Sequence, residues 1–99
     1  MRNNFGGISI IKKEFGEINV FYVKRKTRKK RIGIYISKAA GNAPKRNRLK
    51  RIVREFYRLE FKKKESIFEI IVKFKRKNAP INEKKLKEDL KKWKEYLKT

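Results

Sequence analysis

With 99 residues, 38% of them hydrophobic, the chain can build one small domain around one modest core. Its 32 Lys and Arg against 10 Asp and Glu give a formal charge of +22, which opposes compaction and suits a polyanionic partner: nucleic acid first, an anionic membrane second, an acidic protein third. The lack of Cys and His excludes disulfides, thiolate metal sites and the commonest general base, and no apolar run reads as a membrane span or signal peptide, so a soluble cytoplasmic protein is expected.

Residues 8–11 (ISII) and 18–23 (INVFYV) are rich in β-branched and aromatic residues and predict two strands. Between them KKEFGE carries a glycine suited to a hairpin turn. KRKTRKKR follows, a basic loop of Lys24, Arg25, Lys26, Arg28, Lys29, Lys30 and Arg31. It either extends a nucleic-acid contact or is a solvated hairpin tip. RIGIYISK then alternates: Ile32, Ile34 and Ile36 point to the core, and Gly33, Tyr35 and Ser37 point the other way. Asn42 as a cap and Pro44 in the first turn predict a helix running to about residue 61. Residues 67–74 predict another strand, with a turn around Ala79-Pro80 after it. Asn82 caps a last helix, in which Leu86, Leu90, Trp93 and Leu97 recur at helical spacing. Glu83–Lys87 and Glu88–Lys92 are i,i+4 pairs in the favourable order. The order predicts a single α+β domain over residues 1–99, an about four-stranded, mostly antiparallel sheet packed with two main helices.

The first helix separates its residues sharply. At about 100° per residue, Leu49, Ile52, Val53, Phe56 and Leu59 fall within roughly 120° and read as the buried stripe. Arg46, Asn47, Lys50, Arg51, Arg54 and Arg58 span roughly 140° on the other side, with Tyr57 among them. An ordinary solvated face mixes signs, because like charges four apart repel. This one stacks Arg46, Lys50 and Arg54, and Arg matches phosphate with two parallel hydrogen bonds where Lys cannot. The face therefore reads as a nucleic-acid surface. A membrane-surface helix is the weaker reading, because the apolar stripe already has strands to cover.

RIGIYISKAAGNAPKRNRLKRIVREFYR, residues 31–58, resembles the signature region of the bacterial ribonuclease P protein subunit family. The matching residues are Arg31, Gly33, Ser37-Lys38, Gly41-Asn42-Ala43, Arg46-Asn47-Arg48, Lys50-Arg51 and Arg54-Glu55. The resemblance extends over residues from about 18 to 97. It implies a protein that binds a large catalytic RNA and the 5′ leader of precursor tRNA, assisting Mg²⁺-dependent removal of the leader. It implies that the RNA performs the hydrolysis and holds most of the Mg²⁺, and that the fold contains a left-handed β-α-β crossover. Protein oligomerisation is not required. By the same resemblance Arg46, Asn47, Arg48, Lys50, Arg51 and Arg54, with Arg58 beside them, contact the catalytic RNA. Tyr22 aligns with an aromatic that contacts the leader. Alternation then suggests a leader cleft of Val20, Tyr22, Gly33, Tyr35 and Ser37, with Lys38 at its end. Relatives begin with a basic segment and a helix, whereas NNFGGISI carries two glycines, so that helix is expected to be reduced or absent.

A nuclease working alone would need clustered carboxylates. Asp89 is the only Asp, and the Glu residues are scattered, several beside Lys as surface pairs. The alternative reading is a structural RNA-binding protein of ribosomal type with no role in cleavage; a DNA-compacting protein ranks third.

Overall fold

Gly16 and Glu17 close a tight hairpin between strands β1 (Ile10–Phe15) and β2 (Ile18–Lys24). The computed structural model describes residues 10–24, 32–61, 68–75 and 81–98, with the backbone alone for Lys24 and Phe68. After β2 come β3 (Ile32–Tyr35), α1 (Ala43–Glu60), β4 (Phe68–Phe74) and α2 (Glu83–Leu97). The sheet order is β1-β2-β4-β3. β1 and β2 pair antiparallel, as do β2 and β4, while β3 and β4 pair parallel. A parallel pair needs a crossover, and α1 supplies it.

Strand pairing assigns the two faces. Lys13, Val20, Val72 and Ile34 share one row across the sheet; Ile11, Tyr22, Ile70 and Ile32 share the next. Phe15, Ile18 and Phe74 complete that face. Leu49 and Val53 of α1, with Leu86, Leu90 and Trp93 of α2, pack on it to form one core. The opposite face carries Lys12, Phe21, Ile71 and Gly33 in one row and Glu14, Asn19, Lys73 and Tyr35 in the next. Both helices therefore lie on one side of the sheet.

Trp93 is the hub of the aromatic packing. Its ring lies 4.8 Å from that of Phe56, 5.8 Å from Phe61 and 6.3 Å from Phe15, and its indole N–H donates to Tyr22 Oη at 2.7 Å. It thus joins both helices to two strands, and its loss should cost about 3–5 kcal/mol. Ion pairs at the rim align α1 with α2: Arg48 with Glu83 at 2.8 Å, and Glu60 with Lys94 at 3.6 Å. Early residues meet early and late meet late, so the helices run in the same direction.

Several expectations are corrected here. The first strand was expected over 8–11, but β1 continues through Phe15 because each of its residues pairs with β2, and the turn falls on Gly16, the glycine of KKEFGE expected to make it. Residues 8 and 9, and the family's N-terminal helix, lie outside the described residues, as does the turn around Ala79-Pro80. β3 ends at Tyr35, and Ser37 precedes a 3-10 turn over Lys38–Ala40. Leu59 is 61% exposed, so it is not in the stripe. Tyr57 is half-buried and stacks on Phe61 at 4.8 Å, so it is not in the basic arc. Both changes have one cause: the helix is turned so that Leu49 and Val53 face the sheet squarely, which moves Leu59 out and Tyr57 in.

Candidate nucleic-acid interface

Gly41, at φ +147°, turns the chain into α1, and Asn42 Oδ1 accepts from the Lys45 backbone N–H at 3.0 Å. Pro44 in the first turn has no N–H to satisfy. Beyond this start Asn47, Arg51, Arg54 and Arg58 are all exposed, three or four residues apart, in a stripe about 16 Å long. A shallow depression of about 670 Å³ opens at its beginning, lined by Pro44, Lys45, Asn47, Arg48, Arg51 and Glu83.

The cations of this surface differ in what already binds them. Arg48 grips Glu83 with two hydrogen bonds, Nε to Oε2 at 2.8 Å and Nη2 to Oε1 at 3.2 Å. Lys87 approaches the same carboxylate at 3.4 Å. The Arg48 guanidinium holds the Glu83 carboxyl below the usual carboxylate range. Arg58 donates to Glu55 at 3.0 Å. Arg51 and Arg54 make no ion pair among the described residues, so their charge faces solvent uncompensated. Lys50 is half-buried beside them. Arg46 is half-buried too, and its Nε is buried with no hydrogen-bond partner, so it stands nearer the sheet side than the wheel predicted.

The predicted leader cleft is not one surface. Val20 is fully buried in the core, and Tyr22 lies on the same, helix-covered face. Gly33 and Tyr35 lie on the other face. Ser37 is half-buried past the end of β3, its carbonyl accepting from the Ala40 N–H at 3.1 Å, and Lys38 is exposed beside it. Alternation within one strand separates its own two faces, but only the pairing Val20–Val72–Ile34 says which faces of two strands coincide. Of the basic loop, the backbone of Lys24 ends β2, and 25–31 lie outside the described residues.

Tyr22 does reach a rim of its face. Its ring lies 6.4 Å from that of Tyr96, which is 39% exposed, and the Lys13 ammonium stands 5.3 Å from the Tyr96 ring centre. Burial pushes the Tyr22 hydroxyl up to about 12, against the lowering effect of the Trp93 hydrogen bond. Tyr96 went unnoticed in the sequence, although it follows Trp93 by three and Leu97 adjoins it.

Asp89, the only Asp of the chain, is fully buried. Its Oδ2 accepts from the Glu17 backbone N–H at 2.8 Å, and its Oδ1 from Lys85 Nζ at 3.2 Å. The signal was present on the helical wheel, where Asp89 falls about 40° from Trp93. Among the described residues no three carboxylates gather as a metal site would require. Glu83 and Asp89 are each committed to cations. Among those residues no helix is long and apolar enough to cross a membrane.

A family model described as Ribonuclease P matches residues 7–98. Curated relatives include the Ribonuclease P protein component of Dictyoglomus thermophilum, 48% identical over 40 residues, covering 40% of this chain and 33% of the relative. That of Desulforapulum autotrophicum is 66% identical over 29 residues, covering 29% and 25%. That of Fusobacterium nucleatum subsp. nucleatum is 39% identical over 66 residues, covering 66% and 60%. The matched stretches thus span between a quarter and three fifths of these relatives' lengths.

Proposed function

Because the chain belongs to the ribonuclease P protein family, we propose that it is the RNA-docking protein subunit of a tRNA-processing ribonucleoprotein, acting on precursor tRNA without cutting it. The observation that carries the reading is the Arg51–Arg54 stripe, uncompensated among the described residues, within the family's motif helix. Free guanidiniums on a rigid helix grip phosphates without first breaking an internal ion pair. Asn47 and Lys50 flank them, while Arg48 and Arg58 join by exchanging Glu83 and Glu55 for phosphate. The catalytic RNA is the partner of this face.

The 5′ leader is read along the rim formed by Tyr22, Tyr96 and Lys13, where aromatic surface adjoins a cation. Val20 is covered and takes no part. Mg²⁺ is assigned to the RNA in this reading, since the described carboxylates fit no such ion. Reconstitution with a bacterial ribonuclease P RNA at low Mg²⁺ tests the function. Added protein should raise precursor-tRNA cleavage well above the RNA alone, and no gain would refute the assignment.

A further inference from the structure

The outward side of α2 carries a second cation row, which the docking of α1 leaves unassigned. Lys84, Lys87, Lys91, Lys94 and Lys98 follow one another alternately three and four residues apart, and all are exposed. At about 100° per residue they fall within roughly 80°, in a row about 21 Å long. Helix stability alone does not produce such a row. Like charges at this spacing repel, and Lys84 stands in the first turn, where the helix dipole disfavours a cation. The exposed acids Glu88 and Glu95 fall past Lys84 on the wheel, on the side away from α1. Lys84, Lys91 and Lys98 make no ion pair among the described residues.

The row runs alongside the arginine stripe. α1 and α2 point the same way, held side by side by Arg48–Glu83 at 2.8 Å near one end and Glu60–Lys94 at 3.6 Å near the other. Helices packed so lie about 8–10 Å apart. Lys87 also reaches Glu83, at 3.4 Å. The outer surface of the helix layer is therefore two cation rows with a seam between them that holds the carboxylates of Glu83 and Glu60. A single phosphate chain using both rows would have to cross those acids. Two chains parted by a groove would not.

We propose that α2 is a second RNA-docking element: its lysine row takes one backbone of a double-helical segment of the catalytic RNA, the arginine stripe of α1 takes the other, and the groove lies over the seam. A-form RNA suits this arrangement, because it presents a wide, shallow minor groove and is recognised largely through its shape and backbones. Lysine, a compact charge on a flexible stem, follows phosphates without the fixed geometry that Arg imposes. An anionic membrane does not suit it, since Leu86, Leu90 and Trp93 of α2 are buried in the core and offer lipid no apolar face. That the duplex belongs to the catalytic RNA rests on the function proposed above.

The test measures binding of the full chain to a labelled RNA duplex of about sixteen base pairs across a salt series, with anisotropy as the readout. Lys84→Gln, Lys91→Gln and Lys98→Gln combined in one chain should weaken binding at least about tenfold and lower the salt slope of log K by about two to three. Gln forms helix about as well as Lys, so α2 persists in this variant. An unchanged slope would overturn the lysine row. So would an equal fall when Lys12, Lys73 and Lys75, on the sheet face away from the helices, are changed to Gln instead, or displacement of the duplex by anionic vesicles as efficiently as by unlabelled RNA. An unstructured strand of the same length cannot lie on both rows, so the α2 variant should lower its slope by less. An equal drop would overturn the two-row reading. With ribonuclease P RNA the α2 variant should also weaken assembly, and parent-like affinity there would overturn the assignment to that RNA. Failure of the function proposed above would appear separately, as no gain in precursor cleavage while duplex binding stays sensitive to these lysines.

Discussion

Gly16 and Asp89 lie 73 positions apart in the chain and depend on each other. Gly16 has φ +56° at the first position of the hairpin loop, a conformation that a side chain disfavours by about 1–2 kcal/mol. A Cβ there would fall 2.0 Å from Asp89 Oδ1, and Asp89 has nowhere to go because it is buried and holds the Glu17 N–H. Gly16→Ala should therefore destabilise the chain by at least about 2 kcal/mol, read as a lowered urea midpoint. Gly33→Ala is the control, since the nearest atom to its added Cβ is 3.5 Å away. An equal loss in both variants would sink the account. Asp89 is also the residue whose chemistry was most misleading in the sequence. An Asp among lysines on a helix reads as solvated, and only the arrival of the β1–β2 turn makes it a buried acceptor.

At the scale of the element, α1 shows how far periodicity reaches. The Leu49–Val53–Phe56 stripe, the Asn42 cap and the end near residue 61 are all local properties, set by side chains within a few turns, and all appear in the structure. The rotation of the helix is not local. It depends on the sheet beneath and on Trp93 beside it, and it decides that Tyr57 is covered and Leu59 is not. The division of arginines into those with and those without an ion pair among the described residues is likewise tertiary, because Glu83 belongs to another helix. It has a measurable consequence. Arg51→Ala and Arg54→Ala should each weaken binding to ribonuclease P RNA and lower the salt slope of log K by about one. Arg48→Ala should change the slope less, since its phosphate contact replaces an existing ion pair. A slope unchanged in the first two variants would argue against phosphate contacts there. Strand β2 teaches the same lesson as α1: its alternation is plain, but its phase relative to β3 comes through β4, which lies between them.

For the molecule as a whole, one layer of helices on one face of a sheet turns two cation rows of different chemistry outward, guanidiniums on α1 and ammoniums on α2. Tyr22 and Trp93 tie the layers together through the 2.7 Å hydrogen bond. Because Tyr22 ionises near 12 in the folded chain and near its ordinary 10.0 in the unfolded one, the folded state holds that proton more tightly. The associated stability is complete below pH 10 and is lost as pH rises from there through about 12. Denaturant midpoints across that window should fall in the parent chain and fall less in Tyr22→Phe, which has no proton to lose. Parallel curves would show that the hydroxyl contributes nothing.

By itself the sequence determined the elements, their caps, the single core and the family, because helix and strand periods, capping residues and a dense motif are local patterns. Its charge also ranked the candidate partners, since +22 on 99 residues favours a polyanion. The tertiary structure alone decided which strand faces coincide, which arginines lack an ion pair among the described residues, and that Asp89 is buried. Each of those depends on a residue far away in the chain: Val72 for Val20, Glu83 for Arg48, and Glu17 for Asp89. No local pattern records a partner brought near only by folding.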